Sequence, residues 1–223
     1  MNPPGSTYRL QLHPGFRFED AIGVLPYLRA LGVTHVYSSP QLQAARGSTH
    51  GYDVVDHSRP NAELGGEEGH ARYCRALGEA GLGQVLDIVP NHMAIPGREN
   101  RWWWDVLQNG PASRYAPYFD VTWDSPEAKL RNLVLMPILG DHYGRVLEAG
   151  QLVLEREGPV FHVRYFDHVL PIAPRTLRGL LAPPARRIQS DELAFIATAY
   201  GRLPYATLTD PASVEERHRD QRV

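Results

Sequence analysis

The sequence predicts an α/β fold in which a parallel sheet curves toward a barrel. Three observations predict it. Short apolar runs alternate with helical patterns in the order β-α-β-loop-α-β, as in a parallel sheet. The long polar loops all follow strands, an asymmetry that favours a barrel over a doubly wound sheet. The stretch from Gly83 to Met93 places Val85, Leu86, Ile88 and Val89 around Asp87, which reads as a strand buried on both faces. Pro90 ends that strand, since proline cannot donate to a central ladder. A carboxylate in such a run has to be paired or hydrogen-bonded. Asn91 and His92 follow at the C-terminal end, where α/β barrels carry their sites.

In chain order, Thr7 to Leu12 is a strand, with Tyr8, Leu10 and Leu12 alternating against Arg9 and Gln11. His13-Pro14-Gly15 closes it. Phe18 to Leu31 is a helix with Glu19 and Asp20 in its first turn. Its expected stripe is Ile22, Leu25, Leu28 and Leu31, Pro26 is expected to kink or restart it, and Gly32 to stop it. Val33 to Ser38 is the second strand. From Gln41 to about Gly66 runs a loop without regular structure, long enough to be functional. Glu67 to Ala80 is the second helix, leading through Gly81-Leu82-Gly83 into the central strand. Arg101 to Asn109 is a short helix holding Trp102, Trp103 and Trp104. Three adjacent tryptophans cannot share one face, so at least one lies at a surface, free to stack on a ligand or to cover a neighbouring segment. From Tyr118 the chain is expected to be β-rich, with a turn at Glu157-Gly158-Pro159. Asp191 to Tyr200 is a helix with Ser190 as N-cap, Leu193, Ile196 and Ala197 as apolar face and Gly201 as stop. Asp210-Pro211 opens a last, polar helix that stops at Val223.

The composition excludes several classes. With 43% hydrophobic and 22% charged residues, the 223-residue chain is an ordinary globular sequence. Its net charge of -2 gives no basic surplus for nucleic acid. No apolar stretch approaches the ~18 residues of a membrane span. The start, Met-Asn-Pro-Pro-Gly, lacks the pattern of a signal peptide, so a cytoplasmic location is expected. The single cysteine, Cys74, forms no internal disulfide. Its spacing with Ala71 and Leu77 predicts a buried structural thiol.

Four motifs together carry a resemblance. They are Ser6-Thr-Tyr-Arg-Leu-Gln-Leu with His13-Pro14, then Leu31 to Pro40, Gly47 to Asp56, and Asp87-Ile-Val-Pro-Asn-His92. The last three resemble the opening third of the α-amylase superfamily of glycoside hydrolases. The first, with Trp102 to Gly110 and Tyr165 to Ile172, resembles its maltooligosyltrehalose synthase branch. The resemblance implies the N-terminal part of a (β/α)8 TIM barrel with a β-rich insertion after strand three. Residues 1–117 would be the first three β/α units and 118–223 the inserted α+β subdomain.

It implies an intramolecular transglucosylation that turns the reducing-end α-1,4 bond of a maltooligosaccharide into α-1,1, with no cofactor. Retaining chemistry of this kind uses one carboxylate as nucleophile and another as acid/base. The glycosyl intermediate would be intercepted by the anomeric hydroxyl of the departing glucose. By resemblance His92 bonds the sugar on the non-reducing side of the cleaved bond and Tyr52 stacks under it. Asp87 positions neighbouring groups, Asp53 holds its loop or a sugar hydroxyl, and Arg9, Gln11 and His50 lie where site residues could lie. Asn91 is second to the site in some members and a calcium ligand in others, a choice that stays open; no metal is expected. The family's nucleophile, in an Arg-x-Asp context, and its glutamate have no counterpart here. Arg164-Tyr-Phe-Asp167 has one residue too many and falls in a hairpin. The chain therefore reads as part of a longer enzyme, inactive alone, with a non-catalytic α-glucan-binding module or a fragment of another amylase-type hydrolase as alternatives.

Overall fold

The computed structural model describes residues 3–95 and 97–222; Val223, the expected end of the last helix, lies outside them, as do Met1, Asn2 and Pro96. The chain divides into two compact units, residues 1–100 and 101–223. In the first unit, β1 (Thr7–Leu10), β2 (His35–Ser38) and β5 (Gly83–Leu86) form a three-stranded parallel sheet in the order β1-β2-β5. The barrel is not closed. Helices α1 (Phe18–Ala30) and α2 (Gly66–Glu79) connect these strands. Leu10, Leu12 and Val36 from the strands pack with Phe18, Ala21, Leu25, Leu28, Tyr73 and Leu77 from the helices.

Side chains alternate along a strand, so the register fixes what the other sheet face carries. Arg9 pairs with Tyr37 and Tyr37 with Val85. Gln11 and Asp87, each two residues further on, continue that face.

Both helices end in the same way. Gly32 has φ +83°, and the amides of Gly32 and Val33 donate to Arg29 and Leu28. Gly81 has φ +68°, and the amides of Gly81 and Leu82 donate to Gly78 and Leu77. These are Schellman closures, in which a left-handed glycine satisfies the last carbonyls. At the start of α1 the Asp20 carboxylate accepts the Arg17 amide at 2.8 Å.

Several expectations are corrected. The segment from Gln41 to Gly66 is not devoid of regular structure. It holds an antiparallel arm, β3 (Leu42–Ala44) and β4 (Val54–Pro60), then a turn of 3-10 helix over Ala62–Leu64 capped by Asn61. The central strand is not buried on both faces, because β5 is a sheet edge: Leu86 is 50% and Ile88 68% exposed. Leu31 is exposed as well. The buried stripe of α1 is Phe18, Ala21, Leu25 and Leu28, and Leu31 is already the C-cap. Pro26 does not restart the helix, which runs through it as one element. Cys74 is exposed, since α2 buries Gly69, Tyr73 and Leu77 and the next residue turns outward; its Sγ lies 3.6 Å from His70 Nε2.

The second unit begins with α3 (Arg101–Asn109), so residues 118–223 lie wholly within it. From Tyr118 as far as α4 (Tyr143–Glu148) it holds short 3-10 turns and no strand, so the expected β-rich part begins only after α4. An antiparallel meander follows, β6 (Val153–Glu157), β7 (Val160–Tyr165) and β8 (His168–Pro171). Gly158, with φ +58°, opens the first turn, and Phe166 and Asp167 form the second. Three helices complete the unit: α5 (Leu177–Ile188), α6 (Asp191–Arg202) and α7 (Pro211–Asp220). Leu177 and Leu181 of α5 pack on Ala197 of α6. Ser190 caps α6 through the Leu193 amide, but Ile196 is exposed. Gly201 lies inside the helix, not past it; a Cβ there would stand 2.5 Å from Arg178 Cδ, so glycine serves close helix approach. No helix among the described residues is long and apolar enough to cross a membrane.

Gly32 has open space around its Cα. Gly32→Ala should therefore lower stability through backbone strain alone, by about 1–2 kcal/mol, the cost of a left-handed non-glycine residue. Urea unfolding of the two proteins measures it.

Candidate functional site

The face carrying Arg9, Gln11, Tyr37 and Asp87 meets the loop between β3 and β4. That loop turns at Gly51, with φ +79°, where a Cβ would lie 2.8 Å from the Pro40 carbonyl oxygen. The turn delivers Tyr52 to the end of β5. Three donors then converge on one oxygen of Asp87. The hydroxyl of Tyr52 donates to Oδ2 at 2.6 Å, that of Tyr37 at 3.0 Å, and Arg9 Nη1 at 3.1 Å. The second nitrogen of the Arg9 fork, Nη2, donates to the Tyr52 oxygen at 2.9 Å. The guanidinium lies 4.5 Å from the Tyr37 ring centroid, as expected for paired neighbours on adjacent strands.

The loop has its own supports. Gln11 Nε2 lies 3.3 Å from the carbonyl oxygens of both Thr49 and His50. His50 Nδ1 accepts the Tyr52 amide at 3.0 Å, and the two rings stack with centroids 6.0 Å apart. Ser48 donates to Asp53 Oδ1 while accepting the Gly51 amide. Asp53 Oδ1 is also 3.8 Å from His50 Nδ1. The structure thus brings Asp87, Tyr52, His50, Asp53, Arg9 and Gln11 into one region. Asn91 and His92 are exposed on the segment after β5 and bond to each other, Oδ1 to Nδ1, at 3.0 Å. They do not join the network.

Tyr37 is the residue that the sequence reading passed over. Its signal was present: it sits at the strand position that a parallel register sets beside Arg9.

The electrostatics follow from the geometry. The Tyr52 hydroxyl, and then Arg9 and Tyr37, hold the Asp87 carboxyl below the usual carboxylate range against the opposing effect of burial. The same contact pushes the Tyr52 phenol up, because a phenolate would face a carboxylate. Arg9 is raised: burial lowers it, but its bonds to Asp87 and Tyr52 outweigh that. A general acid needs a raised pKa and a nucleophile needs a free lone pair on the attacking oxygen. Asp87 Oδ2 meets neither condition, since its carboxyl is held low and its lone pairs accept three donors. No group of three or more metal-ligating side chains occurs among the described residues.

The stability that Asp87 contributes comes from a depressed folded-state pKa. It is complete above the unfolded value, about 3.9, and is lost as pH falls through the lower folded value. Asp87→Asn should cost about 1.5–3 kcal/mol at pH 7, the range for hydrogen bonds to a charged group. The gap between wild type and variant should shrink below about pH 4. Asp56 is also depressed, its bonds from Ser58 overcoming burial, and so is Asp210, through Ser213; only the difference between the two proteins isolates Asp87. Urea unfolding across pH 3–7 measures it.

Residues 20–143 match the family described as alpha amylase, catalytic domain. The chain is 41% identical over 178 residues to a putative maltooligosyl trehalose synthase of Mycobacterium tuberculosis, covering 77% of this chain and 22% of that protein. The solved maltooligosyltrehalose synthase of Arthrobacter ramosus is 45% identical, with a TM-score of 0.65 over 76% of this chain and 21% of that one. A hypothetical maltooligosyl trehalose synthase of Sulfolobus tokodaii is 36% identical, with a TM-score of 0.67 over 85% of this chain and 24% of that one. The chain spans about a fifth of the length of the curated relatives it matches first. It belongs to the α-amylase family and is a homologue of its maltooligosyltrehalose synthases.

Proposed function

We propose that this chain forms the opening sector of the α-glucan cleft of a maltooligosyltrehalose synthase. Residues 1–117 supply the first three β/α units of a (β/α)8 barrel, and 118–223 a subdomain inserted after its third strand, β5. The observation that carries the reading is the Tyr52 ring, held by Asp87 and Arg9 at the C-terminal end of parallel strands. A pyranose presents an apolar C–H face, and an aromatic ring fixed at that level suits it. His92 and Asn91, exposed just past β5, offer hydrogen bonds to sugar hydroxyls. Asp53 and His50 hold the loop.

The reaction is a retaining transfer. A carboxylate attacks C1 of the penultimate glucosyl unit while an acid protonates the glycosidic oxygen, releasing glucose at the reducing end. The anomeric hydroxyl of that glucose then attacks C1, the carboxylate leaves, and an α-1,1 bond replaces the α-1,4 bond. No oxidant, metal or cofactor enters the balance. The nucleophile and the acid/base belong to barrel strands other than the three formed here. This chain contributes binding and orientation, which alone are worth orders of magnitude in rate.

Titration calorimetry with maltoheptaose tests the reading. The chain should bind it in preference to the β-1,4-linked cellohexaose. Tyr52→Ala should weaken binding about tenfold or more, the loss expected from a buried aromatic contact. Equal affinity of Tyr52→Ala and wild type would overturn the platform role.

A further inference from the structure

The Tyr52 ring hangs from a loop segment that has no regular structure at residues 49–53. Both of its ends are nevertheless tied to strand β1 or to the residue just after it. We propose that Arg9 and Gln11 are positioning residues that set the Tyr52 ring for a glucosyl unit, an inference that rests on the platform reading of Tyr52.

Two anchors support it. At the phenol end, the Tyr52 hydroxyl both donates to Asp87 and accepts from Arg9, at 2.6 and 2.9 Å. A hydroxyl with its proton and a lone pair committed has its orientation set. At the backbone end, Gln11 lies 3.3 Å from the carbonyls of Thr49 and His50, just ahead of the Gly51 turn. Arg9 is on β1 and Gln11, two residues on and just past its end, continues the same face, so the two span the loop together.

Neutralising Asp87 would need only a cation, and lysine would serve. The geometry uses the fork instead: Nη1 takes Asp87 and Nη2 takes Tyr52, while the guanidinium carbon lies over the Tyr37 ring. An ammonium on a flexible stem does not reproduce the two-nitrogen fork. A ring fixed before the sugar arrives avoids the ordering cost at binding.

The experiment compares wild type with Arg9→Lys, Gln11→Met and Tyr52→Ala. It reads maltoheptaose affinity, the urea midpoint, and the Tyr52 Cζ resonance in carbon-13 tyrosine-labelled chain, assigned with Tyr52→Phe. Arg9→Lys should keep a folded protein, move the Tyr52 resonance and weaken maltoheptaose about tenfold. Gln11→Met leaves the Asp87 ion pair in place and should weaken binding by a smaller factor; it carries the test should Arg9→Lys unfold.

Arg9→Lys and Gln11→Met binding within about twofold of wild type, with the Tyr52 resonance unmoved, would overturn the proposal. Should wild type fail to bind, or Tyr52→Ala bind as wild type does, the platform reading fails and the sugar-positioning role fails with it. A resonance shift in Arg9→Lys would then still show the anchor on the ring. Loss of binding in Tyr52→Ala with none in Arg9→Lys and Gln11→Met would sink this proposal and leave the platform reading standing.

Discussion

One carboxylate oxygen, Asp87 Oδ2, organises the open end of the sheet. It takes donors from β1, from β2 and from the loop before β4, at 3.1, 3.0 and 2.6 Å. The Asp87 side chain is 17% exposed and that of Arg9 35%, so the carboxylate is partly shielded from water. The constraint reaches back into the sheet. Arg9, Tyr37 and Asp87 meet only if the strands keep their register. A slip of β1 by one residue would turn Arg9 toward the helices and present Leu10, a core residue, to the site. Core and site therefore specify the same register from opposite faces.

Much of this was legible in the sequence, for a physical reason. Period-two alternation in Thr7 to Leu12 assigns Arg9 and Gln11 to one face and Leu10 and Leu12 to the other. An acid inside an apolar run has to find donors, and Asp87 finds three. The glycines at 32 and 81 announce helix ends because few other residues adopt positive φ at low cost. The arm of β3 and β4 was not legible. β3 is three residues long and its pairing shifts register at each step, leaving no alternation to read. Helix α5 was hidden by Pro183 and Pro184, which read as breakers yet lie inside it. The edge exposure of Leu86 was hidden too, because an apolar run reads the same whether or not a further strand and helix cover it.

In the second unit the tryptophan motif has a structural use. Asp105 and Asn109, on α3, hold α7. Arg217, 1% exposed, donates through Nε to Asn109 Oδ1 at 2.8 Å and through Nη1 to the Pro204 carbonyl. Burial and the nearby Arg175 push its pKa down, and Asp105 opposes them. His218 Nδ1 lies 3.7 Å from Asp105 Oδ2, and Ser113 bonds the other oxygen of that carboxylate. Trp102 stacks on Tyr115 with centroids 5.1 Å apart and planes 10° apart. The motif's polar positions thus anchor a helix that is otherwise strongly polar, and its first ring packs on the chain's own tyrosine. Covering a neighbouring segment is thus one use of that ring.

The level at which the site forms is decided at the far end of the sheet. Each helix closes on a left-handed glycine, and the residue after that glycine donates back into the helix: Val33 to Leu28, Leu82 to Leu77. These two closures release the chain into β2 and β5 at matching heights, so that His35 pairs with Gly83. The pairing is tight, because the His35 ring lies where a Cβ of residue 83 would be, 2.2 Å from its Cδ2. From that start the strands run in step to Ser38 and Leu86. Asp87 is the next residue, and its amide still donates to the Ser38 carbonyl at 3.1 Å, as one further rung of the ladder. The carboxylate is therefore delivered by the last bond of a regular sheet and not by a loop. Supports on strands hold side chains more closely than supports on loops do. That is why the turn carrying Tyr52, which has no regular structure of its own, can be brought to a fixed position by residues on the strands and at their ends.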